Sequence, residues 1–196
     1  KKCLWLSRHG VRSTGKIVRS VFEKIMGAEI RPEEMKPQGG YLLDSNYFKV
    51  HTGCRFIHPF ADLIQTELKR GLKKEEIREI HAYTYKKAAR LTAQRVPDDL
   101  AAKFSVPVSL AVLLEKGELT FDSVRGCEID ENIAKWEGRI WLHEDETYNG
   151  LLPDVRAARV EIVLKSGERR VRETYHAAGD FDSPEPFTEQ DVRSEE

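Results

Sequence analysis

AARVEIVLKSGERRVRETY, residues 157–175, decides the fold. Two runs of alternating apolar and polar residues flank Ser166-Gly167, a pair suited to a tight two-residue turn, and the pattern predicts a β-hairpin. Val160, Ile162 and Leu164 form the inward face of its first strand. Working outward, Ile77 to Tyr85 sets Ile80, Ala82 and Thr84 against His81, Tyr83 and Tyr85. Arg139 to Glu144 sets Ile140 and Leu142 against Arg139, Trp141 and His143. Both alternations predict strands, and the first places His81 on a strand face rather than in a ligand set. Helical patterns dominate the earlier part of the chain, so the expected class is α+β: an antiparallel sheet with a C-terminal hairpin, packed against several helices.

The segment richest in chemistry is YFKVHTGCRFIHPFADLIQTELKR, residues 47–70. Phe60, Leu63, Ile64 and Leu68 recur at helical spacing, with Asp62, Glu67, Lys69 and Arg70 between them. Pro59 suits the first turn of that helix, Gly53 permits an unusual backbone angle before it, and Gly71 stops it. The residues leading in pack Lys49, His51, Cys54, Arg55 and His58 into a short loop. A helix start exposes free N–H groups and a partial positive charge, so Lys49, Arg55 and His58 beside it suggest a carboxylate or phosphate site. The competing reading is a solvated loop feeding a core helix.

PDDLAAKFSVPVSLAVLL, residues 97–114, is the second informative segment. Asp98 or Asp99 can cap a helix. From Ala101 the chain is apolar nearly all round, as a buried helix requires, and Pro107 must bend that helix or divide it. Lys103 and Ser105 stand just before the break. Lysine is rarely buried alone, so Lys103 either snorkels to the surface or faces an acidic group. Further on, Phe121 to Trp136 reads as one or two short helices, Tyr148 to Asp154 and Gly179 to Thr188 as loops, and Thr188 to Asp191 as the start of another helix. Lys86 to Arg95 reads as charged surface.

Ahead of these, Ile17, Val18, Val21, Phe22 and Ile25 form an apolar helical stripe ending at Gly27, and Arg31 to Gly40 reads as an exposed loop. Residues 1–40 are therefore expected to be a helix and loop, separate from a domain over 41–193. The RHG of Arg8 to Gly10, with Arg12, resembles the phosphate-binding motif of histidine phosphatases, but no second catalytic histidine with matching surroundings follows. The 196 residues carry a net charge of −1, which excludes a nucleic-acid binder driven by bulk charge. No apolar run approaches membrane-spanning length, and no secretory signal is visible. Cys3, Cys54 and Cys127 lack metal or disulfide spacing and fit free thiols in a reducing, cytoplasmic setting. The chain starts with Lys and reads as a processed, trimmed or partial sequence.

Four segments in order resemble the C-terminal part of the MmgE/PrpD family, whose best-known member is 2-methylcitrate dehydratase. FKVHTGCRFIHPFADL is similar to its lysine, Cys-rich turn and Arg…HPAID pattern. GLKKEEIREIHAYTY is similar to its charged turn and strand, and AAKFSVPVSLAVLLEKGELTFDSV to its AKFSLPYAVALALLDG segment. RVEIVLKSGERRVRETYHAAGDFDSPEPFTEQDV is similar to its hairpin and following GDPxxPLS-like loop.

The resemblance implies the α+β lid domain of a two-domain lyase that acts on a small polycarboxylate by dehydration, decarboxylation or epimerisation. The all-helical domain would be supplied in cis or in trans, without metal or other cofactor, in a homo-oligomer. It implies a substrate-carboxylate role for Lys49. For Arg55 and His58 it implies anion binding or orientation of Lys49, with a structural role at the helix start as the alternative. It implies that Lys103 and Ser105 line the same cleft. The family's principal acid–base residues belong to the helical domain, so the catalytic residues are unknown here and the isolated chain is expected to have little activity. Val108 stands where the family often carries Tyr, which keeps open a second reading: a non-catalytic binding or assembly module.

Overall fold

The hairpin expected around Ser166-Gly167 forms, and it is half of a four-stranded sheet. In chain order the strands are β1 (Ile77–Thr84), β2 (Ile140–Glu144), β3 (Ala158–Leu164) and β4 (Arg169–Thr174). They lie in the order β2-β1-β3-β4. The structure, a computed structural model, describes residues 8–9, 23–27, 29, 31, 46–184 and 187–188. The helix expected on the Ile17–Ile25 stripe, the loop at Arg31 to Gly40, the RHG match and the helix expected from Thr188 lie wholly or largely outside the described residues. The chain divides into two units, Lys1–Asp44 and Ser45–Glu196; the following concerns the second.

β1 pairs antiparallel with β3, Ile80 opposite Ile162, and β3 pairs antiparallel with β4. β2 runs parallel to β1, Ile80 beside Ile140. The fold is α+β, with a mostly antiparallel sheet. The parallel pair arises because β1 precedes a crossover of some fifty residues, which returns the chain to the end where β1 began.

Six helices are found among the described residues: α1 (His58–Lys69), α2 (Asp99–Ala102), α3 (Val106–Lys116), α4 (Phe121–Val124), α5 (Glu131–Ala134) and α6 (Glu146–Asn149). Pro107 divides the expected long helix rather than bending it. Asp98 caps α2 by accepting from the Ala101 amide. Ser105 caps α3 by accepting from the Val108 amide, which leaves Pro107 in a first turn where its missing N–H costs nothing. Gly117, at φ 81°, closes α3 in the left-handed region. Asp145 likewise caps α6, one turn of helix at the start of the expected 148–154 loop.

α1 and α3 pack on each other and on one face of the sheet. Phe60, Ala61 and Ile64 of α1 and nearly all of α3 join Ile80, Ala82, Ile140, Val160, Ile162 and Leu164 in one core. Glu67, on the same helix, is 1% exposed. Arg172 and Arg70 donate to it at 2.7 and 3.0 Å, and Arg170 lies 3.7 Å away. Burial pushes this carboxyl up, but the arginine hydrogen bonds and charges win and hold it below the usual carboxylate range. The cluster fastens the far end of α1 to β4. On the other sheet face His81 Nδ1 lies 3.1 Å from His143 Nε2, with Tyr83 stacked on His143, as a strand-face position for His81 requires. Among the described residues, no helix is long and apolar enough to cross a membrane.

Candidate functional site

Three backbone bonds moor the loop before α1 to separate parts of the domain. The Phe48 amide donates to the Gly179 carbonyl at 2.9 Å, Thr52 to Leu119 at 2.9 Å, and Cys54 to Lys103 at 2.7 Å. Gly53 sits at φ 105°, where a Cβ would lie 3.1 Å from the Lys103 carbonyl oxygen, so the approach needs glycine. A 3₁₀ turn over Arg55–Ile57 then leads into α1, with Pro59 in its first turn. Lys49 is exposed and folds back, donating from Nζ to the Gly53 carbonyl at 2.7 Å. That bond is local, so the ammonium can exchange it for another acceptor without disturbing the core.

Arg55 and His58 are buried behind this loop. Arg55 Nη2 donates to Asp180, whose other oxygen accepts from the Ala177 amide at 2.9 Å. The Tyr47 ring covers the guanidinium at 4.7 Å. Among the described residues, Arg55 Nη1 has no hydrogen-bond partner, nor does either ring nitrogen of His58 or the Tyr85 hydroxyl. Each such buried group costs about 1–3 kcal/mol when left unpaired, which sets these atoms apart from the rest of the core. His58 is fully buried, and desolvation, helped by the Arg55 charge and by His51, pushes its pKa down to about 3. Its imidazole is therefore neutral at physiological pH, with one nitrogen free to donate and the other to accept.

His51 meets His58 edge to face at 5.5 Å and pairs through Nε2 with Asp62 at 2.8 Å. The second Asp62 oxygen accepts from the Ala178 amide at 2.8 Å. Asp62 and Asp180 thus take consecutive amides of the segment after β4 and bind it to the start of α1. Sequence reasoning put His51 in the loop but missed its partner. Asp62 carried a signal, being an acid near the helix start; Asp180 and Tyr85 carried none, because their neighbours are distant in the chain.

Lys49, Arg55 and His58 are brought together, and the Lys49 charge acts on His58. Lys103 joins through its backbone carbonyl, which accepts from Cys54. Its ammonium lies 3.6 Å over the exposed Phe121 ring, as the snorkelling alternative expects. Ser105 is fully buried with its hydroxyl engaged twice, donating to the Ala93 carbonyl at 2.5 Å and accepting from Val108 at 3.1 Å. It serves the helix start. Val108 is buried in α3.

Beside Arg55 opens a cleft of about 380 Å³, lined in part by Tyr47, Arg156, Tyr175, His176, Asp180 and Asp182. His176, Asp180 and Asp182 bring possible metal-ligand atoms within 4.8 Å of one another. Asp180 is already committed to Arg55 and the Ala177 amide, so this set does not fit a resident cation. Burial pushes the Cys127 thiol up to about 11, which removes it as a nucleophile at neutral pH.

The profile of the MmgE/PrpD C-terminal domain matches residues 51–194. The chain belongs to the MmgE/PrpD family. The match takes in Arg55, His58, Lys103 and Ser105 and starts just after Lys49. It runs through the hairpin to the segment that carries Asp180, so the MmgE/PrpD domain and the four-stranded unit are nearly coextensive. A search of curated proteins found no match to the chain.

Proposed function

We propose that this MmgE/PrpD domain is the cytoplasmic lid of a 2-methylcitrate dehydratase-like lyase acting on a small polycarboxylate, and that it needs the family's helical domain, in cis or in trans, for turnover. The observation that carries the reading is the group at the start of α1. Among the described residues, Lys49 is held by one local bond, and Arg55 and His58 present buried nitrogens without partners. A substrate carboxylate would take the Lys49 ammonium from Gly53 and form a charge-assisted bond with it. Arg55 would hold the anion, and neutral His58 would donate to it or orient it. Lys103 and Ser105 would shape the wall by fixing the loop and α3. Closing the lid would exclude water and strengthen each of these contacts, while the helical domain moves the proton. The active assembly would be a homo-oligomer.

Calorimetric titration of citrate and 2-methylcitrate into the chain, with and without a helical domain, tests the reading. Binding that requires both parts is the expected result. Lys49→Ala should weaken it more than Lys116→Ala, since Lys116 is tied to Asp130 at 2.7 Å on the exposed surface. Equal effects would return Lys49 to the solvated loop. One observation favours a second reading, a non-catalytic module: Val108 offers no hydroxyl where the family often has Tyr. Absence of binding in both titrations would select it.

A further inference from the structure

We propose that the outer edge of β4 pairs with the β4 of a second copy of this chain, antiparallel about a two-fold axis at Val171. As the contact of the active homo-oligomer it extends the lid reading; as strand pairing it stands on the geometry of β4 alone. β4 ends the sheet. Its hydrogen-bonding phase is fixed at the hairpin, where the Leu164 amide donates to the Glu168 carbonyl at 2.8 Å. Bonded positions alternate along an antiparallel pair, so Arg170, Arg172 and Thr174 turn their backbone groups to Ile162, Val160 and Ala158. Arg169, Val171 and Glu173 turn theirs away from the sheet. Among the described residues, no partner takes these three amides, and of their carbonyls only that of Val171 accepts a bond, from the Arg172 side chain at 2.8 Å. The opposite edge, β2, is not open in this way: the Gln94 side chain already donates to the Ile140 carbonyl at 2.8 Å.

The side chains select the register. Those of Arg169, Val171 and Glu173 share the sheet face opposite α1 and α3, and all three are exposed, Val171 by 47%. Pairing centred on Val171 gives each outward amide an outward carbonyl. It also sets Arg169 of each copy against Glu173 of the other, with the two valines between. Opposite charges directly across a strand pair attract. Centring on Arg170 or Arg172 instead would set Arg169 or Glu173 against Val171 and break both charge pairs. Glu173 already accepts from the Tyr148 hydroxyl, which fixes its carboxylate and leaves the second oxygen for arginine. On the core face the same register sets Arg170 against Arg172 of the second copy. Each copy brings the buried Glu67 there, 3.7 Å from its own Arg170 and 2.7 Å from its own Arg172, so two acids offset this like pair. β4 has no lysine, no proline and no bulge to keep another strand away, and its inward arginines are drawn onto Glu67. The contact uses the same surface on both copies, so it closes at a dimer.

Sedimentation of the full chain over a range of concentrations, without citrate or a helical domain, tests the pairing. The parent should dimerise. Val171→Pro removes an outward N–H that β3 does not use and should abolish the dimer with the fold kept. Arg169→Glu sets like charges opposite each other at both ends of the contact, and so does Glu173→Arg. Each variant alone should raise the dimer dissociation constant about tenfold. Mixed in equal amounts, the two variants should form a heterodimer as tight as the parent dimer, because every charge pair is then opposite again. Three results would overturn the pairing: a parent that stays monomeric throughout, a dimer that survives Val171→Pro, or a mixture that associates no more tightly than either variant alone. If Val171→Pro does not fold, the charge exchange decides by itself. The lid reading fails separately, if citrate does not bind when the helical domain is present, and a heterodimer of the two charge variants would then still support the β4 contact.

Discussion

His58 should make the domain acid-labile in a way that can be isolated. Its pKa is about 3 in the folded chain against 6.5 for an unperturbed histidine. Between those values the unfolded chain binds a proton that the folded chain refuses, so stability falls as the pH falls below the unfolded value and goes on falling until the folded one. Between about pH 7.5 and pH 5.0 the loss is RT ln(1 + 10^1.5), about 2 kcal/mol. With a urea dependence of about 2 kcal/mol per molar, the unfolding midpoint should drop by about 1 M. The same titrations on His58→Phe, which fills the site with an apolar ring, should lack this part of the pH dependence. Groups away from the His58 ring, Glu67 among them, are common to both proteins and cancel in the difference. Equal pH dependence in the two would refute the reasoning, because it would mean that the His58 ring has water or an acid against it and is not desolvated.

Glu67→Gln should destabilise the domain by about 2 kcal/mol at neutral pH, below the roughly 3–5 kcal/mol of a broken buried pair because its arginine partners can rehydrate. The parent should lose that contribution as the pH falls from the unfolded value of 4.5 through the lower folded one, and thermal unfolding across acid pH reads both effects. Ser105→Ala should cost about 1–2 kcal/mol through loss of the α3 cap, seen in urea unfolding; lost citrate binding by a still-folded variant would instead return Ser105 to the site. Gly179→Ala places a Cβ 2.4 Å from the Phe48 carbonyl oxygen at φ 81°, so the backbone there must shift. About 2 kcal/mol of stability should be lost, and the amide resonances of Phe48 and Arg55 should move together; an unshifted spectrum would contradict the mooring.

The fold was legible wherever periodicity was local. The hairpin, the β1 and β2 alternations, the α1 stripe and the Pro107 break are all visible within a dozen residues. The direction of β2 was not, because strand alternation carries no sign of direction and only the crossover decides it. The surroundings of the candidate residues were legible only in part. Lys49, Arg55 and His58 announced themselves by charge beside a helix start, and their nearness survives folding. Sequence does not report that the Ser105 hydroxyl is twice bonded within the fold or that the Lys103 ammonium rests on Phe121. Glu67 looked like a polar-face residue at helical spacing; its burial depends on three arginines, two of them a hundred residues away.

The hairpin that decides the fold also sets the site. Arg55 depends on Asp180, and Asp62 on the Ala178 amide, contacts across 125 and 116 residues. What brings them together is the register of β3 and β4. Thr174, the last residue of β4, pairs with Ala158, and its hydroxyl donates to the His176 carbonyl at 2.5 Å, so the chain turns at once toward Ala177 and Asp180. A slip of one residue in that register would displace the segment by about 3.3 Å along the strand and exchange the strand's faces. That exceeds what a hydrogen bond tolerates, so Arg55 would lose its anchor. The tight turn fixes the register, with the Gly167 amide donating to the Leu164 carbonyl at 3.0 Å and the Leu164 amide to the Glu168 carbonyl at 2.8 Å. The Arg55–Asp180 contact near the start of α1 is therefore held in place by a turn that never touches it.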